Sequence, residues 1–208
     1  MRLIGIAGKL GSGKDYVATN FIIPYIEKTL KEKCLLLSFA DQLKVNVMVK
    51  NTEFNYSDLY ENKTEQVRIL LQQEGTENGR NKFGQNIWTN YHSKWMDIYL
   101  NRGINNFITC DVRFKNELEY IKKKKGIIIK VISPRRNHDR IKKESIDDIY
   151  KYDIIKKHNS ECDLDDVEDS MFDYIINNDY DDNLQEQCEK MLKTIFGDLY
   201  YQNRKYLI

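Results

Sequence analysis

The chain has 208 residues, enough for one well-cored domain with a small mobile lid, and its 33 basic side chains against 32 acidic ones leave a net charge of +1. So even a balance gives no electrostatic steering toward nucleic acid or an anionic membrane, and neither is expected as a partner. Only about six apolar residues precede the first glycine-rich turn, too few for a secretory leader or a membrane span, so a cytoplasmic location is expected.

Leu3–Ile4–Gly5–Ile6–Ala7 reads as a short buried strand, and Gly8–Lys9–Leu10–Gly11–Ser12–Gly13–Lys14–Asp15 follows it directly. The spacing matches the phosphate-cradling loop GxxxxGK[ST] at every position except the last, where Asp15 stands in place of Ser or Thr. Glycines let successive backbone N–H groups face one hollow, the helix that follows adds its positive dipole end, and Lys14 supplies a point charge for outer phosphates. The alternative is a glycine-rich turn with a surface lysine. Strand and helix in the right order argue against it.

The first helix should start near Gly13, carry Val17, Phe21 and Ile22 inward, and kink or break at Pro24. Cys34–Leu37 reads as a buried parallel strand. Ser38–Lys44 leaves that strand and opens a helix with Leu43, Val47 and Met48 apolar, whereas Thr52–Asn62 reads as loop. Helical spacing returns at Thr64 with Val67, Leu70 and Leu71, sets Arg68 and Gln72 on a polar face, and should stop in Gly75–Arg80. Ile87–Leu100, with Trp88, Trp95 and Ile98, has the pattern of a long amphipathic helix, whose aromatics fit a core better than a base-stacking face.

Phe107–Cys110 is another buried strand and ends at Asp111, a carboxylate at the carboxyl edge of a sheet, where a phosphate-bound Mg²⁺ would sit. A helix from Asn116, a strand at Ile127–Ile132, a strand at Phe172–Ile176 and a helix at Leu184–Phe196 complete the alternation. Lys122–Lys125 reads as a solvated helix end. Strands alternating with helices predict an α/β fold of three layers, a parallel five-stranded sheet with helices on both faces, in one domain over 1–208. The polar stretch Ser133–Asp169, with Arg135, Arg136 and Arg140, is too hydrophilic for a simple crossover and reads as a partly helical lid or a surface excursion. Cys34, Cys110, Cys162 and Cys188 lack metal-ligand spacing and read as reduced small hydrophobes.

Five blocks carry a more specific resemblance: Gly8–Asp15; Phe39–Ala40–Asp41–Gln42–Leu43–Lys44; Arg68–Ile69–Leu70–Leu71–Gln72 with Gly75–Thr76–Glu77; Asp111–Glu117; and His158–Asn159–Ser160–Glu161. In that order they resemble the deoxynucleoside monophosphate kinases of phages and large DNA viruses, over residues 1 to about 196. The glycine loop with Asp in its last position is shared with animal-type phosphomevalonate kinase, and the later blocks favour the nucleotide enzyme. The resemblance implies a P-loop kinase fold and transfer of the ATP γ-phosphate to a 2′-deoxynucleoside 5′-monophosphate. It further implies a homodimer in the cytoplasm, the host's if the source is a virus.

Under that resemblance Gly8, Lys9, Gly11, Ser12, Gly13, Lys14, Asp15 and Tyr16 hold ATP, and Asp15 and Asp111 serve Mg²⁺. The missing hydroxyl at Asp15 leaves the metal's own ligands open. Arg68, Arg80 and Arg113 are candidates for the acceptor phosphate by bidentate pairing. Asp41, Lys44, Gln72 and Trp88, in a helical region of about 41–100, would line the sugar and base. Lys14, Arg68, Arg113 and the lid residues Arg135, Arg136 and Arg140 (lid about 133–169) form the candidate catalytic set. Each arginine also has an ordinary reading: Arg68 could pair with Glu65 or Gln72, and Arg140 could be solvated. His158, a lone histidine, is left outside the set. Two other readings compete, a phosphomevalonate kinase-like enzyme and an ATP-binding regulatory module without catalysis.

Overall fold

The computed structural model describes residues 1–144, 157, 159–180 and 182–197. Two compact units make up the chain, Met1–Leu36 with Gly103–Ile208, and Leu37–Arg102, where the sequence predicts one domain.

The first unit is built on five strands: β1 (Arg2–Ala7), β2 (Cys34–Leu36), β3 (Asn106–Val112), β4 (Ile127–Ile132) and β5 (Tyr174–Asn177). All neighbours are parallel, in the order β2-β3-β1-β4-β5, as the alternation of strands and helices predicts. β1 is central, so its residues are buried on both faces and read as a continuous apolar run. One face puts Ile4, Ile6, Ile108, Ile129, Val131 and Ile176 against two helical elements. The first is α1 (Lys14–Val17), which continues in wider turns at Ala18–Ile22 and Tyr25–Thr29. The second is the last described helix, Leu184–Phe196, whose Cys188, Met191 and Leu192 fill the same core. The other face receives the helix Lys115–Lys123 through Leu118 and Ile121, so close that a side chain at Gly5 would lie 2.3 Å from Ile121 Cδ1. Helices thus cover both faces, in three layers.

At the amino edge of that sheet the buried Asn106 uses its whole amide. It donates to Glu32 Oε2 and to the Lys33 carbonyl, both at 2.9 Å, and accepts from Arg2 at 3.0 Å. The Asn106 hydrogen bond is the main cause that holds the Glu32 carboxyl below its ordinary value.

The second unit is helical: α2 (Asp41–Lys50), α3 (Tyr56–Tyr60), α4 (Glu65–Gly75), α5 (Asn81–Phe83) and α6 (Ile87–Leu100). Val47, Leu59 and Val67 form its centre, with Met48, Phe54, Leu70 and Leu71 packed around them. Thr64 caps α4 by accepting from Val67 N at 3.3 Å. On α6, Trp88 is buried with its indole N–H on the Gly75 carbonyl at 2.9 Å, and Trp95 is half-buried with its N–H on Gln42 Oε1 at 3.0 Å. Ile98, which the amphipathic pattern counts among its apolar residues, is 40% exposed.

Four expectations change on local grounds. Pro24 does not break the first helix. It removes an N–H and would crowd the carbonyl four residues back, and the chain answers by winding wider on both sides, with i→i−5 bonds from Ile23 N to Ala18 O and from Leu30 N to Tyr25 O. The strand at Cys34 is a sheet edge rather than a buried strand, so Leu36 is 40% exposed. The Thr52–Asn62 stretch contains α3, nucleated by a capping box in which Asn55 accepts from Asp58 N and Asp58 accepts from Asn55 N. α4 ends at Gly75, but Gly75–Arg80 does not stop the helical run. Its Thr76–Arg80 part forms a single wide turn, and the helical run ends at Gly84, φ +95°.

Within the Ser133–Asp169 stretch, α8 (Pro134–Glu144, after α7 at Lys115–Lys123) and the short α9 (Asn159–Cys162) are described, and α10 is Leu184–Phe196. The expected mobile lid falls partly outside the described residues, as does His158. Among the described residues no helix is long and apolar enough to cross a membrane. All four cysteines are free, and burial raises the thiol pKa of Cys34 and Cys188 to about 12.

Candidate active site

The glycine loop leaves the carboxyl end of β1 and turns into α1 as its spacing predicts. Gly11 (φ +75°) and Gly13 (φ +89°) lie in the left-handed region, which L side chains rarely enter. Their hydrogens are also needed for space. A Cβ on Gly13 would sit 2.3 Å from Asn178 Nδ2, and one on Gly8 would sit 2.7 Å from Ser12 Oγ. The loop is pinned from several sides. Asn178, just past β5, donates to the Ser12 carbonyl at 2.8 Å, and Asn137 on α8 donates to the Leu10 carbonyl at 2.7 Å. Ser12 is buried, and its Oγ has no hydrogen-bond partner among the described residues. A buried hydroxyl left unpaired inside a phosphate-type loop suits an incoming oxyanion.

Lys14 is 6% exposed, and its Nζ donates to the Lys9 carbonyl at 2.9 Å. Its pKa falls to about 8, first because burial penalises the ammonium and then because the Arg113 guanidinium lies near. Asp15, Glu161 and Cys110 pull the other way. The Cys110 thiol in β3 is raised, mainly by burial and then by the Asp15 and Asp111 carboxylates. Among the described residues no group of three His, Cys, Asp or Glu could hold a metal ion. Two carboxylates beside phosphates suit Mg²⁺, which keeps most of its waters, better than a cation needing an all-protein cage.

Arg113 follows β3 where the chain turns into α7. Buried Glu117 fixes that turn, accepting from Arg113 N at 2.8 Å and Phe114 N at 3.1 Å. The Arg113 guanidinium donates to Glu161 Oε1 at 2.5 Å, and Glu161 Oε2 accepts from Leu10 N of the loop at 2.7 Å. A cavity of about 470 Å³ opens here, lined by Gly8, Lys9, Arg113, Asn137 and Glu161 among others. On α8, Arg135 pairs with Asp179 at 3.4 Å and Arg136 lies 4.5 Å over the Tyr180 ring. A Cβ on Gly11 would meet Arg140 Cβ at 2.8 Å, so α8 rests directly on the loop.

Lys14, Asp15 and Arg113 are therefore together in the first unit, Asp111 stands in β3 two residues before Arg113, and Arg136 and Arg140 lie on α8 beside the loop. Lys9 contributes its carbonyl, while its exposed ammonium pairs with Asp165 at 2.7 Å. Tyr16 is 55% exposed and meets the edge of Phe21.

The expected acceptor residues lie in the second unit. Asp41 accepts from Ser38 N at 2.8 Å and from Tyr60 Oη at 3.0 Å, and Lys44 Nζ sits 3.7 Å from the Tyr60 ring centroid. Arg68 and Gln72 are exposed on one face of α4, and Arg80 is half-buried. Trp88 is core. Glu161, Asn137, Asn178 and Glu117 were not in the expected set. Glu161 and Glu117 stood inside the quoted blocks, whereas nothing in the sequence marked the two asparagines except their place after strands.

No family model matches the chain. It is 29% identical over 181 residues to a protein of Acanthamoeba polyphaga mimivirus described as "Putative deoxynucleotide monophosphate kinase", covering 76% of this chain and 89% of that one. Among solved structures it is similar to shikimate kinase from Acinetobacter baumannii, with a TM-score of 0.47 at 12% identity over 95% of this chain and 94% of that one. It is also similar to dephospho-CoA kinase from Campylobacter jejuni, with a TM-score of 0.47 at 15% identity over 94% and 98%.

Proposed function

We propose that this chain is an ATP-dependent kinase that phosphorylates a 2′-deoxynucleoside 5′-monophosphate to the diphosphate. The observation that carries the reading is Lys14, a buried ammonium in a glycine loop at the carboxyl end of a parallel strand, with the Arg113 guanidinium and the Asp15 carboxylate acting on it. The mimivirus relative supports the choice of acceptor.

The acceptor is itself a phosphate anion and needs no general base. Catalysis then reduces to holding two phosphates in line and neutralising charge that spreads over the transferred group. Lys14 and the loop N–H groups hold the donor's outer phosphates, and Ser12 Oγ gains a partner there. Arg113 faces the transferring group from a turn that Glu117 fixes through the Arg113 backbone N–H. Asp111 and Asp15 would hold hydrated Mg²⁺, which when bound would supply charge to screen the donor phosphates. Arg136 and Arg140 add positive charge from α8. On the second unit, Arg68 and Arg80 take the acceptor phosphate, and Asp41, Lys44 and Gln72 its sugar and base. Trp88 supports that region from within the core.

A coupled ADP-release assay with ATP·Mg²⁺ and each of dTMP, dGMP, dCMP and dAMP tests the reading, with GMP, UMP and phosphomevalonate as controls. Turnover on one or more deoxynucleotides is expected. Turnover on phosphomevalonate alone would move the enzyme to that class, and ATP binding without turnover would make it a regulatory module. Arg68→Ala should raise the acceptor KM about tenfold or more with the ATP KM little changed. An unchanged acceptor KM removes Arg68 from the site.

A further inference from the structure

The Glu161 carboxylate sits where an anion belongs. One oxygen takes the Leu10 N–H from inside the glycine loop at 2.7 Å, and the other takes the Arg113 guanidinium at 2.5 Å. Its side chain is 6% exposed, and it lies near enough to Lys14 to favour that ammonium. A loop N–H and a guanidinium converging on two oxygens, with the buried Lys14 ammonium close by, is the kind of donor set that a phosphate takes. The segment that delivers Glu161 is stapled to the same loop at a second point, where Asp165 pairs with Lys9 at 2.7 Å.

We infer that Glu161 is a built-in competitor for the phosphate hollow: an entering phosphate group takes over the Leu10 N–H and Arg113, displaces the carboxylate, and loosens the Asn159–Asp165 segment, leaving Asp165–Lys9 as its remaining tie to the loop. The inference rests on the reading of Gly8–Asp15 as a phosphate site. Its physical ground is that a carboxylate and a phosphate oxygen on one N–H stand within a few ångströms of each other. Two anions so placed in a half-buried site repel too strongly to share it. Glu161 is thus a residue that sets affinity and couples loop occupancy to the segment from α9 to Asp165. The bond to Arg113 is also what phosphate must break before Arg113 can act.

The test uses inorganic tripolyphosphate as probe, so that base and sugar contacts play no part, on the full chain and on Glu161→Gln. The amide keeps the shape and can still accept from Leu10 N, but it has no charge. Calorimetry should show tripolyphosphate binding about tenfold tighter to E161Q than to the unsubstituted protein. Hydrogen exchange on the unsubstituted protein should show residues 161–165 exchanging faster once tripolyphosphate is bound, and this measurement stands alone if E161Q does not fold. Equal or weaker binding to E161Q, or protection of 161–165 by the probe, overturns the inference and makes Glu161 a strut that positions Arg113. Failure of both proteins to bind tripolyphosphate or ATP overturns the phosphate-site reading itself, and the competitor with it.

Discussion

Lys14 shows how a single buried charge can oppose the fold that presents it. Its pKa of about 8, against 10.5 for an ordinary lysine, comes first from burial and then from Arg113. Between those two values the unfolded chain binds a proton that the folded chain does not, so stability rises with pH across the window from about 8 to 10.5. Below pH 8 both states are protonated and the folded state carries the full cost, roughly 3 kcal/mol at most for a shift of this size. Lys14→Met keeps the stem and removes the charge. At pH 7 it should stabilise the protein by about 1–3 kcal/mol, read from the urea midpoint without nucleotide, while turnover falls at least about a hundredfold. A less stable Met variant would mean that the ammonium is well solvated and that burial is not what perturbs it.

At the scale of elements, the fold was legible where one rule governed a segment and obscure where two competed. The strands Ile127–Ile132 and Arg2–Ala7 and the helices Ile87–Leu100 and Leu184–Phe196 have unmixed periodicity, and they appear within a residue or so of expectation. Pro24 and Gly79 mislead because each is a helix breaker by local chemistry, yet both sit in helical runs that relax by widening. At Gly79 the reason is packing. The Trp88 ring lies 2.3 Å from where a Cβ would be, so the residue must be glycine for α6 to approach the turn. Gly79→Ala should therefore lower stability by about 1–3 kcal/mol and shift the tryptophan fluorescence, despite alanine's better helix propensity. A gain in stability would show that Trp88 yields easily and that the close approach is incidental. The site was legible in the same uneven way. Gly8–Asp15 announces itself by spacing, but Glu161 and Asn178 reach the loop from more than a hundred residues away, through strand order that no local pattern encodes.

For the whole molecule, the two units differ in how much core each owns. The first is centred on a sheet whose β1 is buried on both faces and whose Ile4, Ile6, Ile108 and Ile129 are fully enclosed. The second centres on Val47, Leu59 and Val67 in a ring of partly exposed side chains, with Phe39, Leu43, Trp88 and Met96 also buried, a smaller set than the first unit's. Opening free energies follow the apolar surface that each unit buries, so the second unit should open first. Native-state hydrogen exchange is expected to show amides of β1, β3 and β4 exchanging only with global unfolding, and those of α2, α3 and α4 through a lower-energy opening. Leu59, wholly buried at the centre of the smaller core, separates the two processes. Leu59→Ala should lower the opening free energy of α2–α4 by about 2–4 kcal/mol and leave exchange in β1 nearly unchanged until that opening becomes global. Equal acceleration in β1 and α2 would show one cooperative unit. The proposed acceptor residues Arg68 and Arg80 would then draw on the same stability as the glycine loop, and not on the more labile of two cores.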